Sequence, residues 1–475
     1  AVNGFIQILT KPAWDTQGWL VSAGAGTEDP LLTAVRYGGQ AGKDTFYRIY
    51  AKYNQADWTY DALGRRNSPA TDFFQTGFRM DALRPEDTTL TLQGDYYTNR
   101  DLPLDHLQAE LSGANVLGRW RRAYSPSSSV QLESYVDHTY WLIPQQFEEQ
   151  RTTFSGSGRY RIAAGRQDFV VGIDLLVSWD SIGNIGTAQL VPPRRRIYNA
   201  GVYIEDAIRV TAQGTLTWGL KGECNAFSGF EYEPTVRYAW TPTERTTWWA
   251  AISRAVRTPV RIDEDLVIRD RTTTFFTANG DFATEEAWAY EVGGRRQVLD
   301  NLTVDLSAFA YTYDNIRSTE PTDGGLPYTF GNRLNARSTG GEVTVLFQPW
   351  TQLFVKASYR YLDMQFTRDP GSQDLTNGSA EGNDPRSVGN IGVHLNAWTR
   401  WEFDAYVRWA SALPNPAAPG YTELDLRAAW HPAEHWELAL SGRNLLHRQH
   451  VDFVTTNSLN EQVHRSLTAK ATWRF

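Results

Sequence analysis

Apolar and polar residues alternate with a period of two along this chain, and no other property limits its fold as tightly. In the last eleven residues, Leu467, Ala469, Ala471, Trp473 and Phe475 fall on one face of an extended strand, while Thr468, Lys470, Thr472 and Arg474 fall on the other. Leu302, Val304, Leu306, Ala308 and Ala310 alternate with Thr303, Asp305 and Ser307. The same holds for Phe403, Ala405, Val407 and Trp409 against Glu402, Asp404, Tyr406 and Arg408, and for Leu424, Leu426, Ala428 and Trp430 against Glu423, Asp425 and Arg427. Such strands could edge a soluble sandwich or stand in a barrel wall with lipid outside and water inside. Repeated Arg, Asp and Glu on the polar face suit a wet lumen and would be costly in a dry core. Helical periodicity is weak throughout.

The connections carry a second argument. Tight polar turns are expected at 41–43, 84–87, 125–129, 163–167, 241–244, 299–301, 349–352, 398–401 and 431–435. Between them lie mostly long connections, at 57–71, 98–113, 180–196, 256–285, 316–335, 364–386 and 446–464. Short and long alternate, as in an up-and-down barrel whose successive connections leave opposite rims. A Greek-key sandwich has no reason to alternate. The predicted fold is therefore all-β: a transmembrane up-and-down antiparallel β-barrel of about 22 strands, within the even-numbered range of outer-membrane barrels.

Composition agrees. Aromatic residues make up 13% of the 475, with 18 Trp, 23 Tyr and 21 Phe, but only one Cys and two Met. Barrels gather Trp and Tyr at both lipid–water boundaries. Mean hydropathy is −0.47, and no stretch approaches the ~20 apolar residues of a membrane-spanning helix. The solitary Cys224 excludes an internal disulfide. A net charge of −8, with scattered Arg and only six Lys, makes a poor nucleic-acid binder. The opening residues lack a secretory signal, so it has been removed or the chain begins inside a longer precursor.

Several local sequences are familiar. The terminal TWRF resembles the closing strand of bacterial outer-membrane barrels, whose last aromatic is read by the barrel-assembly machinery. AVNGFIQILTK resembles the end of the plug domain of TonB-dependent outer-membrane receptors. SRAVRTPVRIDEDL from Ser253 looks like that family's run from a barrel strand into a long external loop, and EAWAYEVGGRR from Glu286 like the strand that follows. GRNLLHRQHVDF from Gly442 is similar to its penultimate-strand signature. The resemblance implies a plug remnant at 1–11 and a barrel at 12–475, both termini in the periplasm and the wall in the outer membrane of a Gram-negative cell. It implies energy-coupled import of a scarce, bulky ligand such as an iron–siderophore chelate, without catalysis and without a cofactor. Implied partners are outer-membrane lipid and lipopolysaccharide, the assembly machinery and, where a plug exists, a TonB-type coupling protein. Only the last plug strand falls within this sequence. Either the chain is part of a longer receptor, or it is a plugless relative serving as a passive, porin-like pore or a structural barrel beside a separate plug or envelope partner.

No catalytic motif survives inspection. SGSG at 155–158 lacks nucleophile-elbow spacing, and GAGTED at 24–29 lacks the third Gly of a dinucleotide fingerprint. His431 and His435 flank Pro432, and His447 and His450 head a loop, so solvated residues are expected rather than metal ligands. Asp263, Glu264 and Asp265 could hold calcium, but a solvated loop is the expectation. The loop 256–285 is the expected ligand contact, through Arg257, Arg261, Arg269, Arg271, Phe275 and Phe276. Arg forks suit anionic chelates and rings stack on them, though the same residues could merely pack the loop. Lumen-facing positions are expected at Arg48, Lys52, Arg408, Arg427, Arg443, Lys470 and Arg474. Trp430, Trp436, Trp473 and Phe475 are placed at the periplasmic interface as anchors. Trp248 and Trp249 are adjacent, so only one can face lipid.

Overall fold

The computed structural model describes residues 8–101, 108–278, 280–322, 325–379, 381–454 and 461–475. Twenty-two antiparallel strands close into one barrel. The first, Gly18–Gly26, pairs with the second, Leu31–Ala41, and with the last, Ser466–Arg474, in register from Leu20↔Arg474 to Gly26↔Thr468.

The wall is inside-out relative to a soluble protein. Ile173 and Val202 are each 61% exposed and Val292 54%, whereas Asp81 and Glu423 are 0% exposed and Asp206 1%. The pleat explains this, because successive side chains leave opposite faces. Apolar residues point out to where lipid lies, and acids and arginines bond to one another within the ring. Trp and Tyr are among the exposed residues, Trp19, Trp248, Trp401, Trp430 and Trp436 included.

Ten turns of two to five residues lie on one rim, and the longer loops, up to 258–284, lie on the other. Nine of the ten were expected. The tenth, at 210–213, was missed because VTAQ carries no Pro or charge to mark a break. Three connections on the long-loop rim, 27–30, 144–146 and 226–228, are as tight as those opposite. Several others are shorter than expected: 316–335 shrinks to 322–327, because the strands Leu302–Pro321 and Tyr328–Trp350 run on to 20 and 23 residues. A tilted strand needs only about 10 residues to cross a bilayer, so the wall projects well beyond lipid on the long-loop rim.

Ahead of the first strand, a 3-10 turn at Ala13–Thr16 is held against the wall. The Ala13 N–H donates to Asp81 Oδ2 at 2.7 Å, and Arg48 Nη1 donates to the Lys11 carbonyl at 2.5 Å. The expected plug remnant covers 1–11, of which 1–7 lie outside the described residues.

Candidate functional site

A recess of about 980 Å³ opens on the polar face of the wall, toward the long-loop rim. It exists because one strand carries aromatic rings on its polar face. In Leu302–Pro321 the apolar Leu306 and Ala308 face outward, while Phe309, Tyr311 and Tyr313 share the polar face and line the recess. Trp249 adds a ring from Thr246–Arg257, its neighbour Trp248 pointing the other way, and Phe366 and Phe453 add two more. Tyr311 donates its hydroxyl to Glu291 Oε1 at 2.6 Å, and Glu342 stands opposite Arg360 in register.

Two long loops are fixed above this recess by a buried ion network. The loop 258–284 begins with the short helix Arg261–Asp265. Asp263 in that helix is wholly buried and is held from two sides: by Arg257 Nη2 at 2.9 Å and by Arg317 Nη1 at 3.1 Å. Arg257 also reaches Glu285 Oε1 at 2.9 Å, the oxygen that accepts the Arg317 backbone N–H at 3.0 Å. The Arg317 Nε donates to Glu381 Oε1 at 2.9 Å, so this guanidinium joins loop 258–284 to loop 369–386. It lies 4.9 Å from the Phe330 ring, which packs on Phe276. Burial pushes the Glu285 carboxyl above the ordinary glutamate range, with Arg257 pulling the other way. Burial opposes the charge of Arg317, but Glu381 and Asp263 outweigh it and raise its pKa. Burial likewise raises Glu264, against the pull of Arg195.

A second layer anchors the far side of the helix. Arg261 is 4% exposed, with Nη1 to Asp180 Oδ1 at 2.6 Å and Nε to Asp265 Oδ2 at 2.8 Å, and Arg195 pairs with Asp265 as well. The acidic run Asp263–Asp265 is thus two buried arginine partners flanking Glu264. Among the described residues no group of three or more His, Cys, Asp or Glu is disposed to hold a metal ion. His431 bonds Glu402 at 3.1 Å and His447 bonds buried Glu423 at 2.8 Å.

Of the six loop residues singled out from sequence, the structure brings only Arg257 to the recess. Arg261 is enclosed in the second layer, and Phe276 packs on Phe330. Arg269 bonds Gln189 Oε1 at 3.1 Å, and Arg271 and Phe275 are exposed away from the recess. The seven wall cations share faces with polar neighbours. Arg427 bonds Asp404 at 2.8 Å and Glu437 at 2.9 Å, and Arg474 bonds Glu437 at 3.2 Å. Arg408 bonds Asn444 at 2.6 Å, and Lys52 lies 5.2 Å from the Phe73 ring. Arg443 and Lys470 fall on the same face through their register with Ser466 and Ala439. Trp430 stacks on Trp401 at 6.0 Å, and Trp473 packs between Trp436 and Phe475 at 6.5 and 5.8 Å, a belt at the short-turn rim. Arg317, Glu285 and Glu381 were not found from sequence, nor were Phe309, Tyr311 and Tyr313, although their period-2 spacing on a polar face is a signal that could have marked them.

The comparisons bear on what this barrel is. No curated protein matches the chain in sequence. Among solved structures, the FrpB iron transporter from Neisseria meningitidis superposes with a TM-score of 0.81 at 14% identity, over 98% of this chain and 83% of that one. The ferric enterobactin receptor from Pseudomonas aeruginosa gives 0.80 at 14% identity, over 98% and 81%. A copper transporter, OprC, gives 0.77 at 13% identity, over 97% and 81%. At such identities these show a shared fold. The family model described as TonB dependent receptor-like, beta-barrel, matches residues 14–445. With that match added to the closed ring and its inverted faces, the chain belongs to the TonB-dependent receptors of the outer membrane, as their β-barrel.

Proposed function

We propose that this barrel binds a scarce, bulky ligand, a metal chelate of the iron–siderophore kind, in the recess beneath loops 258–284 and 369–386 for energy-coupled uptake. The observation that carries the reading is the recess itself: about 980 Å³ of aromatic and charged wall, roofed by two loops joined at Arg317. Its volume lies at the upper end of the range of about 300–1,000 Å³ usual for small-molecule sites. In this reading residues 1–11 are the end of a plug, of which Lys11 and Thr10 bond to Arg48 and Arg79 of the wall. Both termini then lie in the periplasm, where a TonB-type protein would pull. Lipopolysaccharide surrounds the long-loop rim, and the assembly machinery reads the strand ending in Phe475.

The test is uptake of radioactive iron, offered to cells as a panel of chelates. Trp249→Ala combined with Tyr313→Ala is expected to cut uptake about tenfold or more, as removal of buried aromatic anchors does, at an unchanged amount of barrel in the outer membrane. Unchanged uptake, or a permanently open large conductance from the native receptor in planar bilayers, would overturn the reading.

A further inference from the structure

We propose that the recess selects a neutral or cationic ligand with broad aromatic or aliphatic surface and rejects polyanions, an inference that rests on the receptor reading above. The charge balance of the lining carries it. Three arginines, Arg257, Arg317 and Arg360, face five carboxylates: Glu285, Glu291, Glu342, Glu381 and Asp384. Two of those arginines are already spent. Arg257 and Arg317 are shared among Asp263, Glu285 and Glu381 at 2.9–3.1 Å, and Asp263 adds a further negative charge directly behind them. Among the described residues Arg360 is the one lining arginine without an ion pair, and of the lining carboxylates Glu291, Glu342 and Asp384 have none.

Recognition of a catecholate or phosphate polyanion needs several guanidinium forks free to donate. Here an entering polyanion meets one. It also meets the negative potential of the unspent carboxylates, sharpened by the low-dielectric wall around them. A cation meets the opposite. Trp249, Phe309, Tyr311 and Tyr313 supply ring surface whose quadrupole attracts positive charge, and Glu342 and Asp384 supply counter-charge. A neutral chelate avoids the repulsion and buries its apolar surface against the same rings. Charge and aromatic lining point the same way independently.

The experiment is titration calorimetry of the purified full-length receptor with two iron(III) complexes of similar size. One is a neutral tris-hydroxamate and the other a trianionic tris-catecholate. The neutral complex is expected to bind at least about tenfold more tightly. Glu342→Gln should narrow that ratio and Glu342→Arg narrow it further, whereas Glu86→Gln, on the opposite rim, should leave it alone. Tighter binding of the trianion, or a ratio that neither Glu342 variant moves, overturns the inference and spares the receptor reading. If neither complex binds at millimolar concentration, the chelate-receptor reading falls, and this inference with it.

Discussion

Asp263 shows how a single residue acquires a role that its neighbours in sequence do not reveal. A run of Asp-Glu-Asp in a loop ordinarily means solvation or a calcium ligand. The partner that changes this, Arg317, lies 54 residues further on, in a strand that the barrel's topology carries past the loop. Taking a carboxylate out of water costs several kcal/mol unless cations replace its hydration, and two guanidiniums do so here. Arg317→Ala removes one of them, and leaves Asp263 with Arg257 alone and Glu381 with no cation. Because the Arg317 side chain is 25% exposed, the full buried-pair cost is discounted, to about 2 kcal/mol of local opening free energy. Native-state hydrogen exchange should show faster exchange of the 261–269 amides in the variant. Arg317→Lys should recover only part, since an ammonium cannot span Asp263 and Glu381 with a planar fork. Amides that exchange no faster in Arg317→Ala would mean that the loop is held elsewhere.

The loop 258–284 as a whole should respond to pH in a direction set by Glu285. Burial raises the carboxyl's pKa when the loop is closed, so the closed state binds a proton more tightly than the open one. Its contribution to closure is therefore complete below the pKa of an open, solvated glutamate. It fades as pH rises through the higher closed-state value. Intrinsically corrected exchange in this loop should thus be slower near about pH 5 than near about pH 7, and Glu285→Gln should reduce the difference to the part that Glu264, raised in the same direction, contributes. An opposite slope would rule Glu285 out as the controlling group. At this same scale the sequence was informative in one respect and silent in another. Period-2 alternation located the strands and nine of the ten short turns, because the pleat and the lipid impose that pattern locally. It could not place Arg261 and Phe276, because their partners are Asp180 in the strand Gln167–Asn184 and Phe330 in Tyr328–Trp350, and pairing across a loop leaves no local period. It also ended Leu302–Pro321 too early and began Tyr328–Trp350 too late, where the wall leaves lipid and the apolar alternation stops while the backbone ladder continues.

At the scale of the whole molecule, the ring has no free edge, and its two ends meet. The Trp19 N–H donates to the Phe475 carbonyl at 2.6 Å, and the Phe475 N–H donates to the Trp19 carbonyl at 2.9 Å. Gly18 makes the contact possible: its φ is +77°, and a Cβ there would stand 2.0 Å from the Phe475 oxygen. Closure thus depends on neighbouring strands rather than on where the chain begins. A circular permutant tests this: join Phe475 to the amino terminus through a flexible linker and open the chain at the short turn 300–301. Every strand pair survives, so the permutant should refold in detergent micelles with the native β-sheet circular dichroism and the native heat-dependent shift in gel mobility. Opening the chain between Ala310 and Tyr311 instead splits a wall strand paired on both sides, and should refold poorly. In cells the first permutant should reach the outer membrane in much smaller amount, because its last residue is Asp300 rather than an aromatic. Appending Trp-Arg-Phe to its end should restore assembly. Failure of that permutant to refold in detergent would show that the seam is not equivalent to the other strand pairs. Normal assembly in cells would show that the terminal Phe475 is not what the machinery reads.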